Sequence, residues 1–288
     1  MKSFLKNYEK KILTAFLVIA VVALGASQAT ILGTAADYAV LGSSTVTNTG
    51  STVIYGDLGV SPGLAITGFP PGIVNGTMHA GDADAILAQS DITAAYNGLT
   101  NMPATQNLSG TDLGGLTLIS GVYYFDTSAQ LTGILKLDAQ GNNNAYWVFQ
   151  IGSTLTTSPD STLHSSVQLI NAGSNNGSDV GVFWAVGSSA TIGVGTEFEG
   201  NILALASVTV NTGATIWNGR ALAQTGAITL DTNVISNVCP LPNGGPGFSG
   251  GLKFDTDGTT IVPIPEPAAI TLFSIGLIAL VRRKTAGK

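Results

Sequence analysis

Between residues 148 and 230 short apolar runs alternate with threonine and are broken every few residues by Gly, Asn or Ser. Ala190-Thr191-Ile192, Val208-Thr209-Val210 and Ile228-Thr229-Leu230 follow one another at spacings of 18 and 20, and Gly200-Asn201-Ile202-Leu203-Ala204 precedes Gly219-Arg220-Ala221-Leu222-Ala223 by 19. A period near 19 residues marks a solenoid. The runs are too short and too rich in turn residues for helices, and their β-branched content predicts strands. Three strands of about five residues plus corners would close one coil of a β-helix with a triangular section. The theme recurs upstream, where Ser44 to Val53 lines up with Ser207 to Ile216, so the N-terminal segment is expected to form coils of the same kind. The period changes between Asp82 and Leu99: Ala85, Ala88, Ile92, Ala95, Tyr96 and Leu99 recur at helical offsets, Asp82 and Asp84 suit a first turn, and Gly98 marks an end. One helix is therefore predicted, its apolar stripe packed along the side of the solenoid. Residues 240–264 open with Pro-Leu-Pro-Asn-Gly-Gly-Pro-Gly and read as a linker.

Strand parity decides which threonines face outward. Thr191, Thr209 and Thr229 each stand between two apolar residues, so an outward orientation is nearly forced.

Charge narrows the function classes. The chain has 288 residues, of which 33 are Thr and 37 Gly. Eight of its 11 Lys and Arg lie at the two ends, leaving Lys136, Arg220 and Lys253 between residues 30 and 265 against fifteen Asp and Glu, a balance of −12. Nucleic acid is excluded as a partner, because phosphate neutralisation needs a basic face that this segment cannot build. Cys239 is alone, so no intrachain disulfide forms and stability must come from the core.

The two ends read as addresses. Residues 1–29 carry four lysines, an apolar run from Ile12 to Leu24 and small residues at Ser27-Gln28-Ala29, the pattern of a secretory signal peptide cleaved after Ala29. Residues 265–288 begin Pro265-Glu266-Pro267, continue as an apolar stretch and close on Arg282-Arg283-Lys284. That order resembles the PEP-CTERM sorting signal of Gram-negative bacteria, which implies transient membrane retention, basic end inside, until an exosortase-like enzyme removes it. The positive-inside rule supports the orientation independently. A secreted or cell-surface location is expected.

Residues 30–239 carry a resemblance of their own. Leu32-Gly33-Thr34-Ala35-Ala36-Asp37-Tyr38-Ala39-Val40-Leu41, Gly56-Asp57-Leu58-Gly59-Val60-Ser61-Pro62-Gly63, Gly68-Phe69-Pro70-Pro71-Gly72, Leu137-Asp138-Ala139-Gln140-Gly141 and Phe149-Gln150-Ile151-Gly152-Ser153 are similar to the microbial ice-binding protein family. The resemblance implies an all-β fold, a discontinuous right-handed parallel β-helix with one α-helix alongside, and adsorption to ice through one flat face. The family's site pattern, Thr, then Ala or Gly, then any residue, then Thr or Asn, stands at Thr49-Gly50-Ser51-Thr52 and at Thr212-Gly213-Ala214-Thr215. With Thr191 and Thr209 these form the expected ice-binding residues. Thr49 and Thr52, or Thr212 and Thr215, can share a face only if Gly50 and Gly213 sit at a corner. The expected partner is an ice surface, with exopolysaccharide a further partner, and the expected state a monomer without cofactor or metal.

Rival readings are weaker. Glu197 and Glu199 share a strand face and could form a carboxylate pair, but no base lies nearer than Arg220, about one coil on, and they read as a solvated acidic edge. Gly247-Phe248-Ser249-Gly250-Gly251 has nucleophile-elbow spacing without a strand-to-helix turn, and Asp255-Thr256-Asp257-Gly258 has part of a calcium-loop spacing without the later Glu. His79 and His164 lack Cys companions for zinc. Tyr123, Tyr124, Tyr146 and Trp147 alternate with apolar residues as core or edge strand rather than as a sugar platform. The chain is expected not to be an enzyme. The competing role is a non-catalytic matrix protein or adhesin, which needs no regular threonine face.

Overall fold

The structure, a computed structural model, describes residues 30–159, 165–174, 176–238, 248 and 251–264. The expected signal peptide, the sorting segment with Pro265-Glu266-Pro267, Cys239 and His164 lie outside the described residues. Between Thr30 and Pro263 the chain forms one compact unit of parallel β-strands with one long helix.

Strands from successive coils pair in register and fall into three stacks. One runs through Ala129–Leu131, Leu155–Thr157, Ala190–Ile192, Val208–Val210, Ile228–Asp231, Thr45–Thr49 and Ala65–Thr67, and is called the threonine face below. A second, the mixed face, runs from Thr117–Ile119 through Ile134–Asp138, Ser166–Ile170, the first halves of Glu197–Ala204 and Thr215–Ala223, Val234–Ser236 and Val53–Tyr55 to Ile73–Asn75. The third, the covered face, joins Gly121–Phe125, Tyr146–Ile151, Gly181–Val186, the second halves of the two long strands, Tyr38–Gly42, Asp57–Val60 and Met78–Ala80. Strands of the threonine face are mostly three residues long rather than five, because corners take more of each coil than the spacing suggested.

Stacking order does not follow chain order. Val46 pairs with Ile228, Val40 with Ala221 and Val53 with Val234, so the first two coils stack on the last one. The helix Ala83–Asn101 then returns the chain to the opposite end. Its 19 residues span about 28 Å, close to the roughly 29 Å of six rungs that separate Met78–Ala80 from Tyr146–Ile151.

The helix buries the stripe read from the sequence, Ala85, Ala88, Ile92, Ala95 and Leu99. Asp82 caps it, its carboxylate accepting from the Ala85 N–H at 2.9 Å. At the far end Gln150 Nε2 donates to the carbonyls of Leu99 and Met102, both at 2.8 Å. Gly98 does not end the helix, which continues to Asn101. A Cβ at Gly98 would meet the Phe254 ring at 2.5 Å, so glycine is there for a close packing contact.

Two apolar layers result. Inside the coil Phe149 stacks on Trp184 with centroids 3.9 Å apart, and Trp147, Phe125 and Phe198 are fully buried beside them. Between coil and helix lie Leu41, Val122, Val148, Phe183, Leu203 and Leu222. The covered face is thus buried on both sides, which is why Gly181–Val186 reads as an unbroken apolar run. Tyr123 and Trp147 belong to this framework, as expected, while Tyr124 is exposed.

The linker reading of 240–264 is corrected for its second half. Leu252–Phe254 and Ile261–Pro263 form an antiparallel hairpin with Leu252 and Ile261 buried in the helix-side layer, and Asp255-Thr256-Asp257-Gly258 is its turn rather than a free loop. Phe248 is buried in the coil, its N–H donating to the Asn218 carbonyl and its own carbonyl accepting from Val182 N–H and Asn201 Nδ2, each at 2.9 Å. Gly/Pro composition hid a few apolar anchors.

One charge is buried at the junction of first and last coils. Arg220 is 1% exposed; its Nη1 donates to Asn201 Oδ1 at 2.7 Å, and its Nε and Nη2 donate to the Ala36 carbonyl at 3.0 and 2.6 Å. Desolvation pushes its pKa down to about 9, opposed by the Asp37 carboxylate, so it remains charged at neutral pH. Asn237 Nδ2 holds the same segment through the carbonyls of Ala36 and Asp37.

Candidate functional site

Along the threonine face the inward partners are apolar and the outward residue between them repeats. Gln130 pairs with Thr156, Thr156 with Thr191, Thr191 with Thr209, Thr209 with Thr229, Thr229 with Thr47, and Thr47 with Thr67. Six threonines therefore stand in one file, about 4.8 Å apart. Their flanking residues, such as Val208 and Val210 or Ile228 and Leu230, are buried, which fixes each threonine outward. No register shift interrupts this stack, whereas the other two carry bulges between Tyr38 and Val40 and between Glu199 and Asn201.

Short side chains flank the file. Two residues earlier in each strand stand Ser128, Thr154, Ser189, Ser207, Ala227, Thr45 and Ala65. Several are pinned: Ser128 and Thr154 hydroxyls hydrogen bond at 2.8 Å, and Ser189 and Ser207 hydroxyls accept from backbone N–H groups of the next rung at 3.3 and 3.2 Å. The central hydroxyls differ, since Thr156, Thr191, Thr209, Thr229, Thr47 and Thr67 have no hydrogen-bond partner among the described residues. They are held by a branched Cβ and a rigid strand, and their donors and acceptors remain open to solvent. Asp231, the one charge in these seven strands, accepts from the hydroxyls of Thr212 and Thr232.

The two four-residue motifs lie at the corner between the threonine and mixed faces. Gly50 and Gly213 have φ of +80° and +70°, left-handed values that turn the chain there. Thr49, Ser51, Thr212 and Gly213 are exposed at this corner, but Thr52 and Ala214 are fully buried, which corrects their expected place on a contact surface. Thr52 donates to Asn48 Oδ1 at 2.5 Å and accepts from the Asn233 N–H at 3.1 Å, so its hydroxyl serves the inside of the corner. Thr215 is half-buried on the mixed face, paired with Glu197 and Val234. The sequence alignment that equated Thr52 with Thr215 is one residue out: Thr47 stands in one file with Thr209, through Thr229, and Val53, not Thr52, stands in one file with Thr215, through Val234. A one-residue slip exchanges inward for outward positions. Thr156, Thr47 and Thr67 were missed as members of the file; Leu155-Thr156, Val46-Thr47 and Ile66-Thr67 carried the same apolar-Thr signal.

The mixed face is irregular by comparison. Its outward positions include Ile134, Lys136, Glu197, Trp217, Tyr55 and Ile73. Glu199 is not part of a solvated edge: desolvation pushes its carboxyl up to about 7 despite a hydrogen bond from the Leu169 N–H, with the Glu197 charge adding to the rise. A carboxyl that holds its proton more tightly when folded stabilises the fold below its ordinary 4.5 and loses that contribution as pH rises towards 7. Glu199→Gln is therefore expected to raise stability at pH 8 by up to about 3 kcal/mol relative to wild type, and to gain nothing at pH 4, as chemical denaturation at the two pH values would read. An equal effect at both would refute the assignment.

Comparison with known proteins follows the same segment. Residues 40–236 match the ice-binding-like family model. An ice-binding protein of Nostoc sp. (strain HG1) is 55% identical over 214 residues, covering 74% of this chain and 76% of that one, and an ice-binding protein of Flavobacterium frigoris (strain PS1) is 31% identical over 220 residues, covering 71% and 75%. Among solved structures, an ice-binding protein from an Antarctic biological consortium superposes with a TM-score of 0.66 at 45% identity, covering 73% of this chain and 92% of that chain. One from the Antarctic ascomycete Antarctomyces psychrotrophicus gives 0.66 at 40%, covering 73% and 98%.

Proposed function

The chain belongs to the ice-binding-like family, and from that premise we propose that it adsorbs to ice through the threonine face, restraining crystal growth between adsorbed molecules and slowing recrystallisation. One observation carries the choice of face: six outward threonines in unbroken register with their hydroxyls unengaged. Backbone pairing sets the repeat along the file, and adjacent files stand about 6.7 Å apart, so the surface offers water a fixed two-dimensional spacing rather than mobile groups. Threonine brings a hydroxyl that anchors ordered water and a methyl that borders it, at little cost in rotamer entropy. Thr49 and Thr212 extend this surface at its corner, with Gly50, Ser51, Gly213 and Thr215 beside it.

Magnitudes require that many residues share the contact. Seven rungs about five residues wide give roughly 500 Å², and burying half of that as apolar surface contributes at most about 6 kcal/mol. One hydroxyl contributes about 1 kcal/mol. Thr191→Val is accordingly expected to weaken recrystallisation inhibition only about fivefold. The decisive experiment is a recrystallisation assay on the full chain beside a protein with no affinity for ice: finer grains with this chain are expected, and equal coarsening would remove the function while leaving the fold.

The same reading makes the coil right-handed, as parallel crossovers nearly always are, and triangular, as three stacks suggest. It treats the protein as a non-catalytic monomer exported with loss of residues 1–29 and sorted by residues 265–288.

A further inference from the structure

Thr52, buried where a contact residue was expected, has a use at the break in the solenoid. Coils that follow one another in the chain are tied at their corners by the loop between them. The coil of Ile228–Asp231 and the coil of Thr45–Thr49 lack that tie, since they pair side by side from opposite ends of the fold's sequence. The threonine file crosses the break between Thr229 and Thr47. Strand pairing by itself leaves the crossing underdetermined. Thr45-Val46-Thr47-Asn48-Thr49 has threonine at every second position, so Thr45, Thr47 and Thr49 all have the parity to face outward opposite Thr229. A slide of two residues would keep a threonine beside Thr229 and carry Thr67, which pairs with Thr47, about 6.6 Å off the line.

The corner beside the file makes the choice, because three side chains there join four coils of the stack. Asn233 Nδ2 donates to the carbonyls of Asn211 and Ala214 in the neighbouring coil at 2.8 and 3.0 Å, and its Oδ1 accepts from the Asp231 N–H at 2.6 Å. Across the break the Thr52 hydroxyl accepts from the Asn233 N–H, over 181 positions of sequence, and donates to Asn48 Oδ1. Asn48 Nδ2 in turn donates to the carbonyls of Gly50 in its own coil at 3.0 Å and of Gly68 in the terminal coil at 2.9 Å. Thr52 and Asn233 are 0% and 1% exposed, so water does not replace a bond that is lost. The slide of two residues would withdraw the Thr52 hydroxyl from Asn233 by the same 6.6 Å or so and leave both unsatisfied.

We infer that Thr52, linked to Asn233 and Asn48, is a positioning residue for ice adsorption: it does not touch the crystal, and it sets the register in which Thr47 and Thr67 join the file. This rests on the threonine face being the adsorbing surface. Arg220 and Asn237 hold the first coil at a different place, the backbone of Ala36 and Asp37 ahead of the covered face.

The test needs a variant with the same kind of loss and no break to bridge. Thr157 provides it: its buried hydroxyl accepts from the Gly193 N–H at 2.7 Å and bonds the Thr196 hydroxyl at 2.8 Å, between two coils consecutive in the chain. Recrystallisation inhibition and thermal midpoint are measured on the full chain for wild type, Thr52→Val, Thr52→Ser and Thr157→Val. Both valine variants should lose a similar amount of stability. Thr52→Val should lower inhibition about tenfold or more, as two threonines leave the line, whereas Thr157→Val and the hydroxyl-bearing Thr52→Ser should stay within about twofold of wild type. Should Thr52→Val not fold, Asn48→Ala keeps the bond between Asn233 and Thr52, frees only the terminal coil, and should lower inhibition about threefold to fivefold. Absence of inhibition in wild type would remove the ice reading itself. Inhibition present in wild type and kept in the folded variant, or lost equally in Thr52→Val and Thr157→Val, would overturn the inference and leave the threonine face standing.

Discussion

Thr209→Tyr is expected to cost at least about tenfold in ice recrystallisation inhibition while leaving the thermal midpoint almost unchanged. Thr209 lies in the middle of the file, between Thr191 and Thr229, on a strand whose neighbours in the core, Val208 and Val210, are fully covered. A tyrosine ring there projects well beyond the plane of the threonines and holds the adjacent rungs away from a flat crystal. Losing a quarter of a contact worth about 6 kcal/mol is about 1.5 kcal/mol, or tenfold. The fold should tolerate the change, since an outward strand position accepts tyrosine and exposed substitutions stay within about 0.5 kcal/mol. Thr67→Tyr, on the last rung, should do less. Tyrosine at Ala214 would not test the surface, because that side chain is fully buried at the corner and the variant would strain the core. An unchanged assay endpoint for folded Thr209→Tyr would remove the threonine face from the mechanism.

Arg220→Ala is expected to have the largest effect on stability, a loss of about 3–5 kcal/mol and a fall in Tm of about 10 °C. The guanidinium ties the last coil to Ala36 in the first, across 184 residues of chain, and to Asn201 one rung away. Removing it leaves Asn201 Oδ1 without that donor and a void where a large side chain was packed. The junction it serves exists only because the solenoid is discontinuous, so its loss should loosen the N-terminal coils first. Hydrogen exchange would show this as loss of protection in Tyr38–Gly42 and Asp57–Val60 ahead of Gly181–Val186. Uniform loss, or a change under about 1 kcal/mol by thermal unfolding, would show that the junction is held by apolar packing instead.

Much of the candidate site was legible, and the misplacing of Thr52 has a definite cause. Thr191, Thr209 and Thr229 could be placed outward because each lies between two apolar residues, and alternation in a strand is strictly twofold. The same rule breaks at corners, where Gly50 and Gly213 turn the chain and parity no longer carries across. The four-residue pattern put Thr52 outside and the alignment of Ser44–Val53 with Ser207–Ile216 matched it to Thr215; the corner is there, but the paired strands put Thr52 on its inside. The hairpin at residues 251–263 was missed because composition averages over a window, and two anchors, Leu252 and Ile261, suffice to dock it.

The amino-acid order alone determined the repeat, the parallel β architecture, the helix with its buried stripe, and a threonine-rich surface poor in charge, because these depend on local periodicity. Pairing of the first coils with the last, the burial of Glu199 and Arg220, and the joining of Thr47 and Thr67 to Thr229 in one file were decided only in three dimensions. Those contacts link residues up to about two hundred positions apart, and the side of the coil on which a residue lands depends on how many residues each preceding corner consumes.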